Sequence, residues 1–288
     1  MNLPVGLFGL MLNFVLEMAG NVRSLLSNTS NQESKLISLE RCLYFMKVPP
    51  EAGYKGLKLL ERELRSKKEE IRIDPKKLTW PSTGDLSIQN LSVRYRRGLP
   101  YVLKDINLDI KSGSKVGIVG RTGAGKSTLI SAIYKTLEEY KGNILIDGKN
   151  IREIDLKILR SSMTIIPQDP YLFEDSIKNN IDPASQFPDE KVKDILKDIG
   201  LWQKFTGLDG LDSKIEKGGS NLSQGEKQLI CLARALLLEN RLVLMDEATA
   251  NIDSKTESLI QDLVKRRFKD CTILMIAHRL NTILNCDQ

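Results

Sequence analysis

A lysine and a serine that close a glycine-rich loop carry the first chemistry in this chain. The run Gly120-Arg121-Thr122-Gly123-Ala124-Gly125-Lys126-Ser127 fits G-x-x-x-x-G-K-[ST] at every fixed position, and Thr128 continues it. Glycines at this spacing let backbone N–H groups close around phosphate oxygens, and a helix starting near Lys126 adds its positive dipole end. Lys126 is then expected to reach the β- and γ-phosphates of a nucleotide, with the Ser127 hydroxyl on Mg²⁺. A second group follows at Asp246-Glu247, directly after the apolar run Leu242-Val243-Leu244-Met245. There Asp246 is expected to hold the Mg²⁺ shell, and Glu247 to polarise an attacking water as general base. A third run, Leu222-Ser223-Gln224-Gly225-Glu226, supports two readings. Ser223 and Glu226 match a capping box, S-x-x-E, and a capped helix N-terminus is also an anion site.

These groups need elements to hold them. Val116-Gly117-Ile118-Val119 precedes the loop and supplies the strand–loop–helix context of a phosphate-binding loop. That run, Leu242–Met245 and Thr272–Ile276 are apolar without alternation. Strands apolar on both faces predict a parallel sheet covered by helices. Upstream, Leu86, Ile88, Leu91, Val93 and Tyr95, then Ile106, Leu108 and Ile110, alternate with polar residues, which predicts an antiparallel sheet. From about Asp175 to Leu238 the pattern is mainly helical, and Leu229, Ala233 and Leu236 mark one helix after Ser223.

The N-terminal part is of another kind. Leu3 to Gly20 is almost wholly apolar, with Glu17 its only charge. As a helix it spans about 27 Å, just short of the roughly 30 Å hydrocarbon core. Arg23, Lys35 and Arg41 follow, on the side that the positive-inside rule places in the cytoplasm. The run is read as the remnant of a membrane span; a buried core helix is the alternative. A helical pattern continues to Val48 and stops at Pro49-Pro50. A stretch of interleaved Lys, Arg and Glu then leads to Trp80-Pro81-Ser82-Thr83-Gly84. The chain is therefore divided into 1–48, a linker 49–84, and a main domain 85–288.

Composition narrows the function classes. The 288 residues are 41% hydrophobic and 28% charged, an ordinary globular balance. The net charge of +6 comes from 43 basic and 37 acidic residues, too diffuse an excess to indicate a nucleic-acid partner. Cys42, Cys231, Cys271 and Cys286 include no C-x-x-C pair and read as reduced thiols of a cytosolic compartment.

Taken in order, the three motifs resemble the nucleotide-binding domain of an ABC transporter, from about residue 85 onward. The phrases Gly98-Leu99-Pro100-Tyr101-Val102-Leu103-Lys104 and Cys231-Leu232-Ala233-Arg234-Ala235-Leu236 are most similar to the second such domain of the C subfamily, the multidrug-resistance-associated proteins. The upstream Ser38-Leu39-Glu40-Arg41 resembles the helix that leaves the last membrane span there. The resemblance implies an α/β P-loop NTPase fold with a parallel sheet core, an antiparallel β subdomain and a helical subdomain. It also implies ATP and Mg²⁺ as ligands. Ser223 and Gly225 would contact the γ-phosphate of ATP bound on an opposing domain; the family's usual Gln is Glu226 here. Gln168 looks like the glutamine that senses Mg²⁺ and couples to the membrane domain. His278, the chain's one histidine, resembles the switch histidine on the γ-phosphate. Asp253 matches an aspartate at the dimer interface. Tyr95 stands where an aromatic stacks on adenine, with Tyr101 a second candidate and plain sheet core the alternative for Tyr95.

The implied partners are a second nucleotide-binding domain and transmembrane domains, in a multi-pass membrane protein with the ATPase on the cytoplasmic side. Relatives continue past the position of Asp287, so the chain reads as truncated at both ends. An ATPase domain of a channel or regulatory subunit is the nearest rival. A soluble ATPase acting on DNA ends would carry a long coiled coil between the loop and Ser223, and a small-molecule P-loop kinase would need neither Ser223–Glu226 nor Gln168.

Overall fold

The computed structural model describes residues 5–48, 51, 80–247, 252–277 and 286–288. Two compact units divide at Glu51/Ala52. The first holds one 42-residue helix, α1 (Val5–Met46), and its described side chains are exposed. The sequence places an apolar run and a continuing helical pattern here, and the structure forms one helix over Val5–Met46. Among the described residues no helix is long and apolar enough to cross a membrane. The expected apolar run, Leu3 to Gly20, begins before the described residues.

The second unit begins with an antiparallel sheet of β1 (Leu86–Val93), β2 (Leu103–Ile110), β4 (Tyr140–Ile146) and the short β5 (Lys149–Asn150), ordered β2-β1-β4-β5. Leu86, Ile88, Leu91 and Val93 are all buried although their spacing slips by one. A bulge takes up the slip: the pairing shifts between Ile88 and Leu91, where Asn90 has φ 51°. Gly142 faces that bulge, and a Cβ there would collide with the carbonyl oxygens of Gln89 and Asn90.

The second sheet is parallel, ordered β3-β8-β7-β6, from β3 (Lys115–Ile118), β6 (Met163–Ile166), β7 (Leu242–Asp246) and β8 (Thr272–Ile276). Its strands lack alternation because each face meets a different core. Leu242, Leu244, Leu274 and Ile276 pack with the antiparallel sheet and with α2 (Lys126–Ile133). Val243, Met245 and Ile273 pack with the helices, and apolar residues are therefore favoured at every position. Both expected sheets are thus present.

The helical part follows α3 (Leu156–Ser161) and β6. It comprises α4 (Ile177–Ile181), α5 (Asp189–Asp198), α6 (Trp202–Thr206) and α7 (Gln224–Leu238), and α8 (Ser254–Arg267) packs on α7. Arg234 of α7 holds this region together by donating to the backbone carbonyls of Asn180 and Tyr171.

The segment leading into β1 is pinned by one carboxylate. Asp147, in the β4–β5 turn, accepts bonds from the backbone N–H groups of Ser82, Thr83, Gly84 and Asp85 and from two hydroxyls, at 2.6–3.1 Å.

Candidate functional site

The loop 120–125 joins the end of β3 to α2, and two of its glycines have φ values that side chains disfavour. Gly123 has φ 83° and Gly125 φ 90°. At Gly125 space is also closed: a Cβ would lie 2.7 Å from Leu103 Cδ2 and 3.2 Å from Val102 Cγ1. The Ala124 N–H turns back to the Arg121 carbonyl at 3.1 Å, while Arg121, Thr122 and Ala124 are exposed. Lys126 is buried, and its ammonium donates to the carbonyls of Gly120 at 2.9 Å and Arg121 at 3.2 Å.

The end of β7 meets this loop. Ser127 Oγ donates to Asp246 Oδ1 at 3.1 Å, and Lys126 Nζ lies 3.8 Å from Glu247 Oε1. Burial, with the adjacent Glu247 charge, pushes the Asp246 carboxyl up; Ser127 and Lys126 oppose the shift. Glu247 turns out of the strand with φ 47°, a left-handed conformation that costs roughly 1–2 kcal/mol for a non-glycine residue. Its N–H bonds to the Ile276 carbonyl at 3.0 Å, so the turn is tied to the end of β8. Two residues further on is His278, which lies outside the described residues.

Tyr95 follows β1 and is 54% exposed, which removes it from the sheet core. Its hydroxyl shares a 2.9 Å hydrogen bond with Thr128 Oγ1, in the first turn of α2. An open aromatic face is thereby fixed beside the phosphate loop. Tyr101 is engaged otherwise, with Arg94 and Lys141 cations 5.4 and 5.5 Å from its ring centroid. Gln168 is exposed just past β6, at the same carboxyl end of the sheet as Asp246, since Ile166 pairs in parallel with Met245.

A second cluster stands at the start of α7. Ser223 is its N-cap: Ser223 Oγ accepts from the Glu226 N–H at 3.2 Å, and Glu226 Oε2 accepts from the Ser223 N–H at 2.8 Å. The capping-box reading of this run is thus realised. A Cβ at Gly225 would meet Thr256 Cγ2 at 3.0 Å and Ile252 Cγ2 at 3.3 Å, so α7 starts tightly against the start of α8. Asp253 caps α8 by accepting from the Thr256 N–H at 3.0 Å, a bond that holds its carboxyl below the usual range. Among the described residues no hydrogen bond or ion pair joins Ser223, Gly225 or Asp253 to the loop.

Three contacts are not visible in the sequence patterns. Thr128, already part of the loop motif, orients Tyr95, and Gln228 of α7 donates to the Pro167 carbonyl beside Gln168 at 3.1 Å. Lys204 of α6 donates to Glu226 Oε1 at 2.7 Å. Each pairs segments far apart in the chain, where no periodicity signals contact.

Known proteins resemble this chain in sequence and fold. A family model described as ABC transporter covers residues 103–250. The chain is 43% identical, over 97% of its length, to ABC transporter C family member 3 of Dictyostelium discoideum. It is 41% identical, over its whole length, to ATP-binding cassette sub-family C member 3 of Rattus norvegicus. It spans 19% and 18% of those two relatives. Among solved structures, a bacterial Atm1-family ABC exporter with ATP bound aligns with TM-score 0.67 and 32% identity, over 71% of this chain and 36% of the other.

Proposed function

Because the chain belongs to the ABC transporter family, with relatives in its C subfamily, we propose that its ATP-binding domain hydrolyses ATP to drive an exporter. The observation that carries this reading is the meeting of loop and strand end: Ser127 at 3.1 Å from Asp246 and Lys126 at 3.8 Å from Glu247. The glycine-rich loop binds the phosphates through its N–H groups and Lys126, while Tyr95 stacks on adenine. Glu247 takes a proton from the water that attacks the γ-phosphorus. The bond to the β–γ bridging oxygen breaks, and ADP and inorganic phosphate leave.

A hydroxyl and a carboxylate, Ser127 and Asp246, are oxygen donors that fit Mg²⁺, and with Gln168 they would hold it. The ion would supply charge neutralisation at the phosphates. His278 acts on the γ-phosphate. Ser223, Gly225 and Asp253, built apart from the loop, serve an ATP bound on a second nucleotide-binding domain, and closure of the pair moves the transmembrane domains. The N-terminal helix α1 continues from those domains, at a membrane whose cytoplasmic side carries the ATPase.

Phosphate release by the full-length protein tests this, with and without chelation of Mg²⁺. Release that depends on Mg²⁺ is expected. No release with the ion present overturns the hydrolytic reading, and release that survives its removal overturns the role given to Mg²⁺.

A further inference from the structure

The start of α7 bears a carboxylate at the place where the proposed function must receive a polyanion. Glu226 does not extend away from the helix. Its Oε2 accepts from the Ser223 N–H at 2.8 Å and its Oε1 from Lys204 Nζ at 2.7 Å, so both oxygens are engaged. Lys204 lies on α6, whose next residue, Phe205, is buried in the helical core, and its base is thus anchored. Burial works to raise the Glu226 carboxyl, but the bonds from Lys204 and Ser223 prevail and hold it below the usual range. The carboxylate therefore stays ionised, and the lysine cancels its charge. Among the described residues the first two amides of α7, those of Gln224 and Gly225, have no acceptor, and Ser223 Oγ keeps its proton for another acceptor.

We infer that Lys204 is a positioning residue for nucleotide. It neutralises Glu226 and holds its carboxylate in the capping box, so that the Ser223–Gly225 edge receives the triphosphate carried by a second nucleotide-binding domain. The inference rests on the proposed pairing of two such domains. An exposed ion pair by itself contributes little to stability, so a merely structural Lys204 would leave nucleotide binding unmoved.

The test is equilibrium binding of radiolabelled Mg·ATP to the full-length protein, made with Glu247→Gln to prevent turnover, at low and high salt. Against that background Lys204→Met exposes the Glu226 charge, and the half-saturating ATP concentration is expected to rise about two- to five-fold at low salt and less at high salt. Adding Glu226→Gln to Lys204→Met should restore binding, because glutamine keeps the capping bond and removes the charge. Lys204→Arg should bind as the parent does. Rescue by the second substitution cannot arise if the first simply misfolds α6. Unchanged binding in Lys204→Met, or a loss that Glu226→Gln leaves uncorrected, overturns the inference. ATP binding without phosphate release in the wild-type protein defeats the hydrolytic reading alone, since the variants are compared by binding. No ATP binding in the wild-type protein defeats both.

Discussion

Lys126 Nζ stands 3.8 Å from Glu247 Oε1, across the gap between the glycine-rich loop and the end of β7. Both side chains are about nine-tenths buried, at 7% and 10% exposure. The same ammonium also donates to two loop carbonyls. On the proposed reading, a triphosphate entering the loop would offer it more strongly charged acceptors and draw it away from Glu247.

The two ends of this contact should fail differently when substituted. Glu247→Gln keeps size and polarity but cannot take a proton, so ATP still binds and turnover slows roughly 10²-fold or more. Lys126→Ala removes the phosphate ligand and raises the ATP concentration needed for half-saturation. Single-turnover hydrolysis and a binding titration on the same preparations separate them. Wild-type turnover in Glu247→Gln would show that another group serves as base.

Gly125 and Gly123 make an internal comparison. Both have left-handed φ, so alanine at either costs roughly 1–2 kcal/mol of backbone strain. Only at Gly125 does the added Cβ also strike Leu103 and Val102; at Gly123 nothing lies within 4 Å. Gly125→Ala should thus lower Tm by several degrees more than Gly123→Ala, at about 2–4 °C per kcal/mol for a domain of this size. Equal shifts in thermal unfolding would mean that Leu103 moves aside freely.

Tyr95 is expected to act through its ring. Tyr95→Phe keeps the stacking face and loses only the bond to Thr128, so ATP affinity should fall by no more than a few-fold. Tyr95→Ala loses the stack, worth about 1–3 kcal/mol for a base on an aromatic ring. ATP and a triphosphate without a base should differ in affinity for the wild-type protein and converge for Tyr95→Ala. A difference that persists in Tyr95→Ala assigns adenine recognition elsewhere.

Most of the frame was legible because its signals are local or periodic. The loop spacing, the Asp-Glu pair after an apolar strand, and the change from alternating to continuous apolar runs each follow from backbone geometry within a few residues. The limits are equally physical. The bulge at Asn90 shows in sequence only as a slip between Ile88 and Leu91, and the partner that requires it, Gly142, is on another strand. Lys204 meets Glu226 only because α6 and α7 share a core. The apolar run that starts at Leu3 reaches only in part into the described residues, among which no helix is long and apolar enough to cross a membrane. His278 carried a reading from resemblance that the described residues do not reach.

Asp147 supplies a prediction that depends on pH. Burial works to raise its carboxyl, yet the bonds from Thr83, Asp85 and Ser82 outweigh it and draw the pKa down from an ordinary 3.8 to about 2. The folded value is the lower one, so the unfolded chain takes up its proton first as pH falls. Its contribution to stability is complete above about pH 4 and is lost as pH drops towards 2. Allowing for solvent screening at this partly exposed site, the contribution is on the order of 1 kcal/mol. Asp147→Asn should therefore lower Tm by about 2–4 °C between pH 5 and 8, with the deficit shrinking below pH 4. Asparagine offers one acceptor oxygen where the carboxylate offers two, and the N–H groups of Ser82 to Asp85 lose partners accordingly. Thermal unfolding of both proteins across that pH range decides it. A deficit that stays constant down to pH 2.5 would mean that Asp147 contributes by shape, and that its charge is not what fastens residues 82–85 to the β4–β5 turn.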